Sequence, residues 1–482
     1  MIYMNKNAYI LSIVAIATLL VFVVVASFAY FGMQGGVPRS VDIKVITSTT
    51  DVLTFSVGSD INIVANQSSF SKDKTSLSAS TSATASLTAN NSTNNTTMNY
   101  YFYLKIASNT FIYSQDEDTP ELILSITGPS GEVTSLDGYN YKEVTDINGN
   151  SIKGFDVTRT KGLVTIANNK AITAGTKSEA LKETNEERWI VTLTFVNYDA
   201  DQTKNAGKEF SAKLIVQKDK YKYKLSDYVK DLYTGIQGEN SIYYHDENLV
   251  NGAKDYSFRY AGASSEVNNY VCFGTVAEAC PNDNLYRIIG VFDDQVKLIK
   301  ATSIGNYAWD SGGSNTWSSA SLNTTTLNGT YLEGFSDAWQ SKIATTTWET
   351  GGNIYNKIYN VAPAITYVYE ITSPVASVMV SAKIGLMYVS DFGYAAASSA
   401  WETNLSTYRT YNSINWLYLG NHEWTITRRT NDLLAAYYVH LDGYVGNNNA
   451  TFVFNVRPTF YLISTTIYDG GSGSISSPFR IN

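Results

Sequence analysis

The chain has little of the chemistry on which catalysis and metal binding draw: 3 histidines and 2 cysteines in 482 residues. A zinc site usually takes four nitrogen or sulfur ligands, and Cys272 and Cys280 have only His245, His422 and His440 to add, so a metal-holding or reactive thiol pair is the less favoured reading. In YVCFGTVAEACPND the pair reads instead as a disulfide closing a short loop, stabilising by roughly 2–3 kcal/mol in oxidising surroundings. Charged residues make up 16% of the chain, the formal net charge is −8 and the pI is near 5.1. No cluster of Lys and Arg stands against that acidity, which excludes a nucleic-acid partner held by counterion release.

No Ser-His-Asp order, paired-carboxylate motif or phosphate-binding glycine loop stands out, although glycosidase carboxylates leave no short signature. The chain therefore offers no catalytic residue, no metal ligand set and no cofactor to nominate, and it is read as a non-enzyme. The acidic run Gln115-Asp116-Glu117-Asp118 is a place for weak calcium binding, but reads more simply as a solvated turn before Pro120. His422 beside Glu423 lacks the second histidine of a helical zinc motif, and on a strand the two side chains point apart. Arg457 before Pro458 suits a forked ion pair that fixes a closing strand.

What the chain has in quantity is apolar and aromatic surface. Hydrophobic residues make up 44% and tyrosine alone contributes 36, enough for two soluble cores. Most of these rings are expected in strands and cores, while exposed ones would give flat amphipathic faces suited to sugar or peptide. Residues 8–31, AYILSIVAIATLLVFVVVASFAYF, form an apolar run long enough to cross a hydrocarbon core of about 30 Å as a helix. Lys6 precedes the run, Arg39 and Lys44 follow it, and the flanking charges nearly cancel. Composition and the cysteine pair decide the expectation of an uncleaved, single-pass plasma-membrane anchor, amino terminus in and bulk of the chain extracellular, in preference to cleavage after Ala29.

Beyond a cytoplasmic stub and anchor at 1–39, two domains are expected. From 40 to 218, DVLTFSV (51–57), INIVA (61–65), SATASLTA (82–89), YYFYLKI (100–106), ELILSIT (121–127), GFDVT (154–158), WIVTLTFVN (189–197) and FSAKLIVQ (210–217) read as short strands between turn clusters, the pattern of an antiparallel, immunoglobulin-like β-sandwich. SATASLTA, an Asn-rich turn and YYFYLKI read as one hairpin. From 219 to 482 the pattern is mixed α+β. LSDYVKDLYTG opens it as a short amphipathic helix, and YRIIGVFDDQVKLIKAT (286–302) is a hairpin across Asp293-Asp294. KIGLMYVSD (383–391), EWTITRR (423–429), LAAYYVHLDGYV (434–445) and VRPTFYLI (456–463) read as strands, AWQSKIATTTW (338–348) as a helix, and the Gly- and Ser-rich tail as a final edge strand.

The leader ending in SFAYF, with DVLTFSVGSDINIVA, TPELILSITGPSGEV and WIVTLTFVNYDADQ, resembles uncharacterised surface proteins of gut-dwelling low-GC Gram-positive bacteria. In layout it is also similar to the camelysin and biofilm-fibre sandwich proteins. YRIIGVFDDQVKLIK, the Trp317, Ser321-Leu322-Asn323 and Tyr331-Leu332 spacing, NWLYLGNHEWTITRR, GYVGNNN and NVRPTFYL resemble bacterial domains related to the formylglycine-generating-enzyme and C-type-lectin fold. The resemblance implies a C-type-lectin-like domain, without the oxidase chemistry of the enzyme relatives, because the late cysteines are missing.

The expected function is noncovalent recognition of an extracellular glycan or protein by a bacterial surface adhesin. A fibre or matrix subunit is the alternative, and a wall or glycan hydrolase comes third. Among Trp309, Trp317, Trp401, Trp416 and Trp424, several belong to the core. The residues nominated for ligand contact are Trp401, Trp416, Tyr418 and Asn421.

Overall fold

The computed structural model describes residues 51–70, 74–90, 95–178 and 181–482. The expected membrane span at residues 8–31 lies outside them. Among the described residues no helix is long and apolar enough to cross a membrane, so the expected single-pass plasma-membrane anchor finds no support in them. The expected fold class is corrected in composition: the structure is mostly β-sheet and 17% helical. The described chain forms two compact units, one of residues 51–158 and 163–220, the other of residues 159–162 and 221–482.

The first unit is a β-sandwich. Its seven-stranded antiparallel sheet runs in the order Val52–Val57, Leu77–Thr88, Thr184–Phe195, Leu122–Gly128, Ser151–Asp156, Tyr141–Thr145, with the two-residue Gly131–Glu132 beside Leu122–Gly128. A four-stranded sheet, in the order Ile61–Val64, Glu209–Gln217, Thr96–Asn109, Gly162–Ala174, shares its core. Alternation builds both sheets, since successive side chains point to opposite faces. Ala83, Ala85 and Leu87 are buried on one strand, and Tyr100, Phe102, Leu104 and Ile106 on another.

Those two strands lie in different sheets, so the expected hairpin is instead a connection from one layer of the sandwich to the other. Ala-rich and aromatic faces are complementary in volume across a core, and this favours packing them face to face over pairing them edge to edge. Trp189 is fixed in that core by its indole N–H, which donates to the Tyr100 hydroxyl at 2.9 Å, and by the Phe102 ring, with centroids 5.2 Å apart.

The second unit opens on the helix Leu225–Asp231, with Leu225 and Val229 buried. A seven-stranded antiparallel sheet follows, in the order Ile242–Tyr244, Phe258–Tyr260, Leu285–Phe292, Gln295–Lys300, Thr459–Tyr461, Ile384–Gly385, with Tyr270–Cys272 beside Leu285–Phe292. The expected hairpin forms its centre, and Asp293 takes a left-handed φ of 52° at the tip. A five-stranded sheet runs Asn306–Ala308, Val453–Asn455, Glu423–Arg428, Ala435–Val439, Val445–Asn449.

The helices of this unit are short, and two segments reverse their expected state. In AWQSKIATTTW only Asp337–Gln340 is helical, because the β-branched run Thr345 to Thr347 leads into the strand Thr346–Glu349, which pairs with Met379–Ala382. In KIGLMYVSD the strand ends at Gly385, and the Asp391 carboxylate accepts the Tyr388 N–H at 2.8 Å, capping the helix Val389–Tyr394. The tail forms isolated bridges, such as Tyr468 with Ile481, and no extended edge strand.

Candidate functional site

Seven of the eight tryptophans, Trp189, Trp309, Trp317, Trp348, Trp401, Trp416 and Trp424, are buried. The eighth, Trp339, is half-buried and lines a cleft of about 740 Å³. That volume falls in the range that ligand pockets occupy. Trp339 stands on the short helix Asp337–Gln340, whose first turn is closed by the Trp339 and Gln340 N–H groups donating to the Ser336 carbonyl. Phe273 packs edge-on against the indole at 5.0 Å, and the Lys342 ammonium lies 5.7 Å from the ring centroid. The indole is therefore held in place from behind, with a cation beside it.

The same cleft is lined by the loop closed by Cys272 and Cys280, which form the expected disulfide with Cα atoms 5.8 Å apart. Val276, at its tip, is 93% exposed. Arg480 ties the loop to the tail by donating to the carbonyls of Ala277, at 2.8 Å, and Glu278. Thr275, Glu278, Ser341, Asp469 and Asn482 add further polar lining. A cleft lined by a covalently stapled loop, an anchored indole and side chains of both charge signs can take a flat ligand that carries hydroxyl, amide or charged groups.

The four nominated ligand residues do not meet at this cleft. Trp401 and Trp416 are core residues, which corrects their nomination. The indole N–H of Trp401 donates to the Ala396 carbonyl at 2.9 Å and that of Trp416 to the Tyr260 carbonyl at 2.8 Å, so each polar handle is used internally. Tyr418 is half-buried, its hydroxyl donating to the Leu441 carbonyl at 2.6 Å. Asn421 is exposed beside a smaller cleft of about 280 Å³, lined by Asn306, His422, Leu441 and Phe454. There His422 packs on Phe454 at 5.0 Å and on His440 at 4.5 Å.

Glu423 turns the other way, into the core, where Arg457 grips it with two bonds of 2.6 and 2.9 Å and also donates to the Leu417 carbonyl at 2.7 Å. That is the forked pair expected of Arg457. In the acidic run, one Asp116 oxygen accepts the Asp118 N–H and the Thr119 hydroxyl, a turn that satisfies itself. Among the described residues no group of three or more His, Cys, Asp or Glu side chains could hold a metal ion.

A buried ionic cluster lies elsewhere in the same unit. Asp391 faces Lys297 at 2.6 Å and Arg259 at 3.6 Å, and Arg259 also pairs with Asp255. His245 is fully buried nearby, against the rings of Tyr394 and Trp401, and its Nδ1 accepts the Ala253 N–H at 3.0 Å. Burial, and then the Arg259 charge, hold its pKa well below the ordinary histidine value.

The folded state therefore keeps His245 neutral, while the unfolded chain takes up a proton below about pH 6.5. Stability contributed by this residue is complete above that pH and falls as pH drops, by up to about 1.4 kcal/mol per pH unit. Urea unfolding at pH 7 and pH 5 is expected to show this loss in the native chain and less of it in His245→Gln. An equal pH dependence in the two proteins would contradict the assignment.

No family model and no curated protein matches the chain.

Proposed function

We propose that the protein is a noncovalent recognition protein whose Tyr221–Asn482 unit binds a glycan or polypeptide ligand at the Trp339 cleft. The observation that carries this reading is the placement of the one incompletely buried tryptophan on a cleft of about 740 Å³ that a disulfide-closed loop also lines. Tryptophan buries a large flat area at small entropy loss, which is why it anchors binding sites. Lys342 and Arg480 add donors for hydroxyl, carbonyl or carboxylate groups.

Assembly into a fibre by strand addition needs edges open to a second chain. The outer strand Tyr141–Thr145 carries Lys142 and Glu143. The outer strand Gly162–Ala174 carries Lys170, with Asn169 at a left-handed φ of 53°. Charges and local irregularity oppose strand addition at these two edges, whereas the outer strands Val52–Val57 and Ile61–Val64 carry no charge, so the preference for recognition rests on the Trp339 cleft.

The full chain, oxidised, is to be applied to an array of glycans and extracellular-matrix proteins with and without calcium. The reading expects a reproducible ligand recovered chemically unchanged. Cleavage of the ligand would move the protein to the hydrolases. Silence across the array together with concentration-dependent filaments would move it to the fibre subunits.

A further inference from the structure

We infer that Lys297 and Asp391 are a covalent modification site, where the lysine amine and the aspartate carboxyl condense to an intramolecular amide that cross-links the central hairpin to the helix Val389–Tyr394. The two side chains are 1% and 3% exposed, and Nζ lies 2.6 Å from Oδ2. Lys297 has three N–H donors as an ammonium, and among the described residues they make one hydrogen bond, to Asp391. Its other neighbours are ring faces: Tyr388 at 4.6 Å, Tyr461 at 5.4 Å, Phe292 at 5.5 Å and Trp348 at 5.6 Å. An ammonium in such a box has lost its water and gained a single acceptor, the situation in which a buried ion pair is most costly to keep charged.

The lysine and aspartate can shed their charges by moving one proton across the 2.6 Å contact, giving amine and acid without any outside donor. Burial lowers the lysine pKa, with Asp391 opposing the change, which brings the neutral amine within reach. The nitrogen lone pair then attacks Cγ of Asp391. A C–N bond forms and a C–O bond breaks. The departing oxygen keeps the hydrogen it held as an acid, takes one from nitrogen and leaves as water.

The surroundings suit each part of that step. Charge developing on the carboxyl oxygens meets the Tyr388 N–H, 2.8 Å from Oδ2, and Arg259, 3.6 Å from Oδ1. Packing holds the two reactants as one unimolecular pair. The charge balance also survives. Of Lys297, Arg259, Asp255 and Asp391, condensation removes one cation and one anion and leaves Arg259 paired with Asp255. The other buried carboxyl whose field reaches Lys297, Glu370, already accepts the N–H groups of Val389 and Ser390 and the Thr427 hydroxyl. Asp391 is thus the partner in hydrogen-bond contact.

Mass spectrometry of the purified full chain and of its tryptic digest decides the matter. The cross-link predicts a mass lower by one water than the disulfide-bonded sequence, no cleavage after Lys297, and one branched peptide joining residues 288–300 to residues 384–409. Lys297→Arg and Asp391→Ala are each expected to restore the full mass. The native digest is decisive even if these variants fold poorly. Free peptides ending at Lys297, or a water lost at another position, would overturn the inference and leave the two residues as an ion pair.

Discussion

Replacing Glu423 by Ala is expected to destabilise the Tyr221–Asn482 unit by about 3–5 kcal/mol, because Arg457 would be left charged and unpaired in the core. Both side chains are nearly inaccessible, and the guanidinium satisfies the carboxylate with two bonds while a third goes to the Leu417 carbonyl. A loss of that size is a large share of the 5–15 kcal/mol typical of a folded domain. Removing both charges has a different effect, since a well-packed apolar pair of similar volume avoids the desolvation cost altogether. Glu423→Leu combined with Arg457→Met is therefore expected to recover most of the lost stability. Urea unfolding followed by near-ultraviolet circular dichroism checks both. A loss below about 1 kcal/mol for Glu423→Ala would mean that the pair behaves like an exposed one.

Truncating Trp401 or Trp416 to Ala is expected to cost about 3–5 kcal/mol each, through a cavity that the surrounding rings cannot close. Trp401 packs between Tyr243, His245 and Tyr394, with centroids 4.9 to 5.3 Å away, and the Arg287 guanidinium lies 4.6 Å over Trp416. Any loss of ligand binding in these variants should follow the loss of folded protein. Trp339→Ala is expected to leave the unfolding transition within about 1 kcal/mol of native, because its outer face already meets solvent. Parallel melts of the three variants test the distinction. A native-like melt for Trp416→Ala would contradict its place in the core.

Much of the sandwich was legible because strand alternation is a local property. INIV, ELILSIT and FSAKLIVQ fall in or beside strands, and the hairpin across Asp293-Asp294 turns where its acidic tip indicates. The partners of those strands were less legible. Leu77–Thr88 and Thr96–Asn109 are neighbours in sequence but join different sheets, which alternation alone does not decide. The strand Gly162–Ala174 was missed because its second half, NNKAITA, breaks the alternation with polar residues at an exposed edge.

The candidate site was harder still to read. The disulfide and the Arg457 pair follow from residue type and spacing, but which tryptophan faces solvent depends on every other element of the unit. Trp339 sits in a segment that reads as an ordinary amphipathic helix, and nothing local separates it from Trp348. In the structure Trp348 is buried.

Titration of an array-identified ligand against the native chain, Trp339→Ala and Trp339→Phe tests the central claim most directly. The account predicts that Trp339→Ala keeps the native fold and weakens binding at least about tenfold, corresponding to about 1.4 kcal/mol, with Trp339→Phe falling between the two. Equal affinity for native chain and Trp339→Ala, at equal stability, would contradict the assignment of the cleft beside the disulfide loop as the recognition site.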